Sequence, residues 1–349
     1  MVSALDKKLL RDLSRLKGQV VTIALVVAAG IAAFVAMKGN YASLEHARDA
    51  YYERSRFADV FAHLERAPEA LRADLESIPG VSRVDTRVVE GAMIPLATIS
   101  EPIRAQLISL PSGGHSVLND LYLVEGRMVE PGHSDEAVIL QSLAVAHGMR
   151  PGGELPMVIN GVWRRLRVVG VAMSPEYVMA ISPGSVTQDP KRFAVVWMDR
   201  APLAGAFEME GAFNDVVLEL QPGASEAEVL DVVDRVLTPY GGFGAIPRRK
   251  QASNNVLDGE LLQMKSMSTI VPAIFLAVAA LLLNVVLSRL VHLQRPEIAT
   301  LKAVGYTDYE IGLHFLKLVV VISGLGALLG LGTGAWLGSE LTELYGRFF

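Results

Sequence analysis

The sequence predicts an α-helical membrane protein with a large α+β extracytoplasmic domain inserted between its first and second transmembrane helices. Three windows, Gly18 to Met37, Ser266 to Ser288 and Leu318 to Ser339, are long, apolar and free of Asp, Glu, Lys, Arg and His. A run of about 20 apolar residues, rising about 1.5 Å each as a helix, matches a hydrocarbon core of about 30 Å. Between the first two windows, residues 39–265 alternate strand, turn and short-helix signals instead. The whole chain, 349 residues, exceeds what one soluble domain needs.

Residues 1–17 open the chain. Leu5, Leu9, Leu13 and Leu16 fall on one helical stripe, with Lys7, Lys8, Arg11 and Arg15 mostly opposite. That pattern suits an amphipathic helix lying on the inner leaflet; the plainer alternative is an extension of the first span. The first span, 18–38, has the basic flank of a signal peptide. Its apolar run is too long, however, and Lys38-Gly39-Asn40 is a poor cleavage site, so it reads as a retained span. The first 17 residues hold five basic groups against two acidic ones, which places the N-terminus in the cytoplasm. Residues 39–265 then lie outside, 289–317 return inside, and 340–349 form an extracytoplasmic tail.

The extracytoplasmic segment holds 21 basic and 30 acidic residues, so the net charge of −5 reflects this segment and not a nucleic-acid surface. The chain has no cysteine. A domain of over 200 residues can bury a core without disulfides, and thiol or cysteine–zinc chemistry is excluded. Residues 40–57 read as a helix rising from the membrane. Pro68 to Ile78 reads as a short helix, followed by strands at Val81 to Val89 and Ile103 to Leu110. Asp215 to Leu220 reads as a strand, and Ser225 as the cap of a helix through Leu237, with Glu228 in the capping-box position. These two units suggest a split α+β subdomain. Residues 111–210 would be a β-rich insertion, marked by Ala137 to Leu140, Met157 to Ile159, the Asn160-Gly161 hairpin turn and Arg167 to Val171. Residues 250–265 read as a helix leading into the second span, 266–288.

The third span, 318–339, carries Gly326, Gly330, Gly334 and Gly338 at a strict spacing of four. Glycines so spaced share one helix face and admit another backbone closely. The partner is either this chain's own bundle or a helix from elsewhere. The sequence contains no P-loop, no H-E-x-x-H and no G-x-S-x-G. Its seven histidines are scattered, so neither catalysis nor a metal site is expected. Spans without ionisable groups offer no path for protons or ions. Energy for any transport would have to come from elsewhere.

The polar segment between the second and third spans, 289–317, is the candidate for that connection. Glu297, Ile298, Leu301, Lys302 and Val304 fit a short amphipathic helix stopped by Gly305. Thr307 and Glu310 form a capping box for the next helix. The segment is either a plain linker or a docking helix for a cytoplasmic motor.

Gln294-Arg295-Pro296-Glu297-Ile298-Ala299-Thr300-Leu301-Lys302-Ala303-Val304-Gly305 resembles the coupling segment of FtsX-like ABC transporter permeases of the MacB and LolC/LolE type. Gly126-Arg127, Glu136 to Leu140, Gly148 to Pro156 and Val168 to Val171 resemble the MacB-like periplasmic domain of that group. The resemblance implies a permease subunit with no enzymatic activity of its own, in a bacterial inner membrane. Its partner would be a separate cytoplasmic ABC ATPase dimer, which would bind the ATP and magnesium. ATPase closure would move the extracytoplasmic domain, by mechanotransmission, to export or extract a lipid, lipoprotein, peptide or drug. By the same resemblance Arg295, Glu297, Ile298, Leu301, Lys302 and Gly305 map to the ATPase contact. Further partners implied are membrane lipids, a second permease copy or C-terminal permease half, and a periplasmic adaptor protein. Ala299 stands where the family has glycine, and Tyr306 where a small residue is common. The family also has a fourth span, so the chain is expected to be the N-terminal portion of a longer permease. The competing expectation is a membrane-anchored extracytoplasmic sensor or scaffold without an ATPase.

Overall fold

The computed structural model describes residues 4–95, 101–112, 114–182 and 188–346. The first three residues of the N-terminal segment and the last three of the predicted tail lie outside these. The chain divides into two compact units, one of Met1–Ala47 with Glu260–Phe349, the other of Arg48–Gly259. In order the elements are α1 (Ala4–Arg15), α2 (Lys17–Arg54), β1 (Val60–Pro68), α3 (Leu71–Glu76), β2 (Val81–Arg87), β3 (Val89–Ile94) and β4 (Ile103–Leu110). Then follow β5 (Tyr122–Gly126), β6 (Glu136–Leu140), α4 (Gln141–His147), β7 (Glu154–Ile159), β8 (Val162–Met173), β9 (Phe193–Asp199) and α5 (Arg200–Ala206). The chain closes with β10 (Ala212–Leu220), α6 (Glu226–Leu237), β11 (Ile246–Pro247), α7 (Ala252–Leu293), α8 (Arg295–Ala303) and α9 (Asp308–Gly346).

In the first unit, α2, α7 and α9 are each long and apolar enough to cross a membrane. The polar stretches read as helices at 40–57 and 250–265 run on from the first span to Arg54 and into the second from Ala252, with no proline at either junction. Likewise α9 carries its helix through Gly346, into the segment expected as a tail. The glycine stripe packs within the chain. A Cβ on Gly326 would lie 2.7 Å from the Ala24 carbonyl oxygen, and one on Gly330 2.6 Å from that of Ala28. On Gly334 it would lie 2.9 Å from the Ala32 Cα, and on Gly338 3.7 Å from the Ala36 Cα. So four alanines of α2 at the same spacing of four face the four glycines of α9. Close backbone contact of this kind replaces the hydrophobic driving force that lipid does not supply. A Cβ on Gly30, elsewhere on α2, would lie 3.1 Å from Phe275 Cβ and 3.4 Å from Leu276 Cδ2 of α7.

The second unit contains two sheets. A four-stranded antiparallel sheet has the order β11-β1-β10-β2. Leu75, Phe213, Val216, Val229, Val233 and Leu237 bury together where α3 and α6 cover it. The second sheet has the order β5-β8-β6-β9-β4-β3-β7, and β7 pairs again with β8. That pairing closes six strands into a barrel, with β5 at the one branch. Its interior is filled by Leu107, Ile139, Leu155, Met157, Leu166 and Val196. A second cluster, including Val138, Leu140, Val195 and Trp197, covers the other face of β6 and β9. Both strands are buried end to end, which explains runs such as Ala137-Val138-Ile139-Leu140.

Several sequence expectations change here. Ile103 to Leu110 is a strand, but it pairs with β9 in the barrel, so the insertion starts directly after β2 and not near residue 111. Pro68 ends β1 instead of starting a helix, and α3 is only Leu71–Glu76. Ser225 stands at the start of α6 without a side-chain cap bond, so its capping box with Glu228 does not form. The Asn160-Gly161 turn is present, with φ of 46° and 76° as a hairpin of this type requires.

A buried ion cluster joins the two sheets. Arg87 of β2 donates to Asp215 of β10 at 2.6 Å and to both oxygens of Glu176 at 2.6 and 3.1 Å. Glu176 sits in a helical turn (Pro175–Tyr177) after β8 and also accepts from Asn119 at 2.8 Å. Asp215 faces His63 of β1 at 2.8 Å. Burial works to raise the Asp215 pKa, but Arg87 and His63 outweigh it and hold it low. The charge and hydrogen bond of Asp215 hold the His63 imidazole above its ordinary value.

Candidate functional site: the coupling segment

α8 is short and fixed at both ends. Only Gln294 separates it from α7. Pro296, in the first turn of α8, explains the break. Its ring clashes with the carbonyl four residues back, and it has no N–H to continue α7. At the other end the Gly305 N–H donates to Lys302 O at 3.0 Å and the Tyr306 N–H to Leu301 O at 3.1 Å. These are the paired bonds of a Schellman stop. Gly305 has φ of 104°, a conformation strained for any residue with a Cβ. Tyr306 packs back on the apolar cluster of the helical unit, which gives the stop its usual hydrophobic contact.

The next helix starts with the expected capping box. The Thr307 N–H donates to Glu310 Oε2 at 2.8 Å, and the Glu310 N–H donates to Thr307 Oγ1 at 3.3 Å. The Thr307 backbone and side-chain bonds hold the Glu310 carboxyl below its usual range.

The residues mapped to an ATPase contact separate into two faces. Ile298 and Leu301 are partly buried and pack on the cluster of Ile23, Val27, Leu290, Ile311 and Phe315. They face the chain's own bundle, not outward. Arg295, Glu297, Lys302 and Gly305 are exposed, and so are Ala299, Ala303 and Val304. Lys302 pairs with Asp308 across the stop. Leu293, Val304 and Tyr309 are large apolar side chains 69%, 74% and 78% exposed. The outward surface of the segment therefore sets large apolar side chains among charges of both signs.

A charged cluster that sequence reading did not assign lies beside α8. Lys8 of α1 donates to Asp12 at 2.9 Å and to Gln294 Oε1 at 2.9 Å, and pairs with Glu297 Oε2 at 2.9 Å. Asp12 Oδ2 lies 3.3 Å from His314 Nε2 of α9. Burial works to raise the Asp12 pKa, but Lys8, His314 and Gln294 outweigh it and hold it below its ordinary value. Lys8 thus turns inward and not to the polar face. The available signal was Asp12 itself, a carboxylate at the edge of the arc of Leu9, Leu13 and Leu16.

Among the described residues no group of His, Asp and Glu is placed to hold a metal. Long apolar helices, an inserted α+β unit and a capped connector between two spans define a multi-pass membrane protein. Residues 269–345 match the family described as FtsX-like permease C-terminal. The match bears out the resemblance read from the coupling segment. It supports a permease subunit of an ABC transporter and, with it, an ATPase partner. No curated protein matches the chain. Among solved structures, the periplasmic region of MacB from Actinobacillus actinomycetemcomitans is similar at 9% identity with a TM-score of 0.35, covering 60% of this chain and 94% of that one. The extracellular domain of the ABC-type transporter YknZ from Gram-positive bacteria is similar at 14% identity with a TM-score of 0.35, covering 53% of this chain and 97% of that one.

Proposed function

We propose that the chain couples ATP hydrolysis by a separate cytoplasmic ATPase dimer to motion of its α+β unit on the other side of the membrane. That motion serves export or extraction of a lipid, lipoprotein, peptide or drug. The single observation that carries this reading is the outward surface of α8 and its flanks. It is capped at the Gly305 stop and at Thr307, and it presents Val304 and Tyr309 among Arg295 and Lys302. A rigid helix that exposes apolar anchors within a charged rim is built for a protein contact, not for a solvated linker. The contact therefore uses Arg295, Lys302, Val304 and Tyr309. Ile298 and Leu301 act from behind, seating the helix on the bundle.

The test is affinity capture of the chain from its own membrane, with the bound ATPase identified by its Walker A peptide. Wild type recruits the ATPase. Val304→Asp, on the exposed face, weakens recruitment at least tenfold, a loss of about 1.4 kcal/mol typical of a central contact residue. Recruitment of no ATPase by wild type overturns the permease reading and returns the chain to a sensor or scaffold.

A further inference from the structure

Amphipathic helices on a membrane surface keep their charges in water. α1 instead turns two of them inward, with the Lys8 side chain 11% exposed and that of Asp12 5%. Buried charges persist only where well-placed partners replace water. An ammonium has three donors, and Lys8 has three partners within 2.9 Å: Asp12, Gln294 and Glu297. Two of these belong to the joint and first turn of α8. That turn has no side-chain cap of its own, so it is held from outside. Asp12 carries the link on to His314, which is 4% exposed and sits in the first turns of α9. One cluster therefore ties α1, the start of α8 and the start of α9 together.

We propose that α1 is a clamp on the coupling helix, with Lys8 as its positioning residue. Lys8 holds the first turn of α8 through Gln294 and Glu297. Asp12 and His314 anchor that hold to α9. A push on α8 is then shared by α1 and α9 instead of bending the single-residue joint at Gln294. This deepens the ATPase-contact reading and rests on it. It also gives Glu297, half exposed on α8, a task within the chain as the acceptor for Lys8.

The absence of cysteine from the chain makes the test direct. Ile298→Cys places a thiol on the seated face of α8, and Ala299→Cys places one on the exposed face. Each is introduced into the full chain in lipid nanodiscs and labelled with a maleimide. In the wild-type background the thiol at 298 reacts slowly. Lys8→Met speeds its labelling about tenfold, because two charge-assisted bonds that seat the turn are lost. Lys8→Arg, which keeps the cation, leaves the rate within about twofold. The thiol at 299 reacts equally in all backgrounds. If Lys8→Met does not fold, Gln294→Ala removes one of the same bonds and is read the same way. Unchanged labelling at 298 in Lys8→Met, or in Gln294→Ala where it stands in, overturns the clamp. So does acceleration by Lys8→Arg equal to that by Lys8→Met. Labelling needs no ATPase, so a flat result removes the clamp and leaves the ATPase reading standing. Failed recruitment removes the ATPase reading while the labelling result still speaks to the clamp.

Discussion

Arg87→Met should unfold the α+β unit at a distinctly lower temperature. The guanidinium is buried and bonds two carboxylates, Asp215 at 2.6 Å and Glu176 at 2.6 and 3.1 Å. Methionine fills most of the volume but strands both carboxylates. Breaking a buried ion pair by removing one partner costs about 3–5 kcal/mol. Here Asp215 keeps His63 and Glu176 keeps Asn119, each at 2.8 Å, so the lower end, about 3 kcal/mol, applies. For a unit of this size about 1 kcal/mol shifts the midpoint by about 2–4 °C, which gives a fall of about 6–12 °C. The assay is thermal unfolding of the full chain in detergent, followed by tryptophan fluorescence. Trp336 lies in the helical unit, so the measurement uses a Trp336→Phe background, leaving Trp163 and Trp197 to report the α+β unit. Adding Asp215→Asn and Glu176→Gln to Arg87→Met should recover most of the loss, since neutral amides no longer need the cation. A fall under about 2 °C for Arg87→Met would refute the reasoning. So would no recovery in the triple variant.

Two further outcomes follow from the same structure. His63 has a raised folded pKa, because Asp215 favours its charged form. Its stabilising contribution is therefore complete below the unfolded value of about 6.5 and is lost as pH rises through the folded value. The unfolding midpoint of the α+β unit should fall on that rise, and His63→Gln should flatten the profile; an equal slope in both chains sinks the assignment. In the helical unit, Gly330→Ile should cost about 1–3 kcal/mol in an SDS titration read by Trp336 fluorescence. The new side chain starts 2.6 Å from the Ala28 carbonyl. Gly338→Ala, whose Cβ would sit 3.7 Å from Ala36, should be tolerated, and equal losses at the two positions would argue against the zipper.

What was legible in the sequence was local. Charge-free windows located the spans, and Thr307 with Glu310 marked a cap that forms because both residues belong to one turn. The Gly305 stop was legible for the same reason. What was hidden depends on distant pairing. β1 escaped notice because its register shifts between His63 and Ala67, which breaks the alternation of a simple strand. β4 was recognised but misplaced, since nothing near Ile103 to Leu110 announces its partner at Phe193 to Asp199. In the coupling segment the amphipathic pattern of α8 was visible, but pattern alone does not say whether the apolar face seeks a partner or the chain's own bundle. Ile298 and Leu301 seek the bundle. Lys8 was assigned to a polar face because its acceptors, Gln294 and Glu297, lie far along the chain.

The four-stranded sheet has a consequence for how the chain matures. Its central pair joins Val60 to Leu218, and the whole barrel lies between them in sequence. β1 and β2 are made first, yet neither has its neighbour until β10 arrives. Pairings this distant in sequence form slowly, and unpaired edges left waiting are prone to wrong partners. The barrel can complete its own hydrogen bonding without β10, so it is the natural first piece to fold. Its closure brings the ends of the insertion together and delivers β10 to the strands already waiting. Newly made chains should therefore pass through a stage with a formed barrel and an open sheet, which is the interval in which this protein is most exposed to proteases and most in need of chaperones.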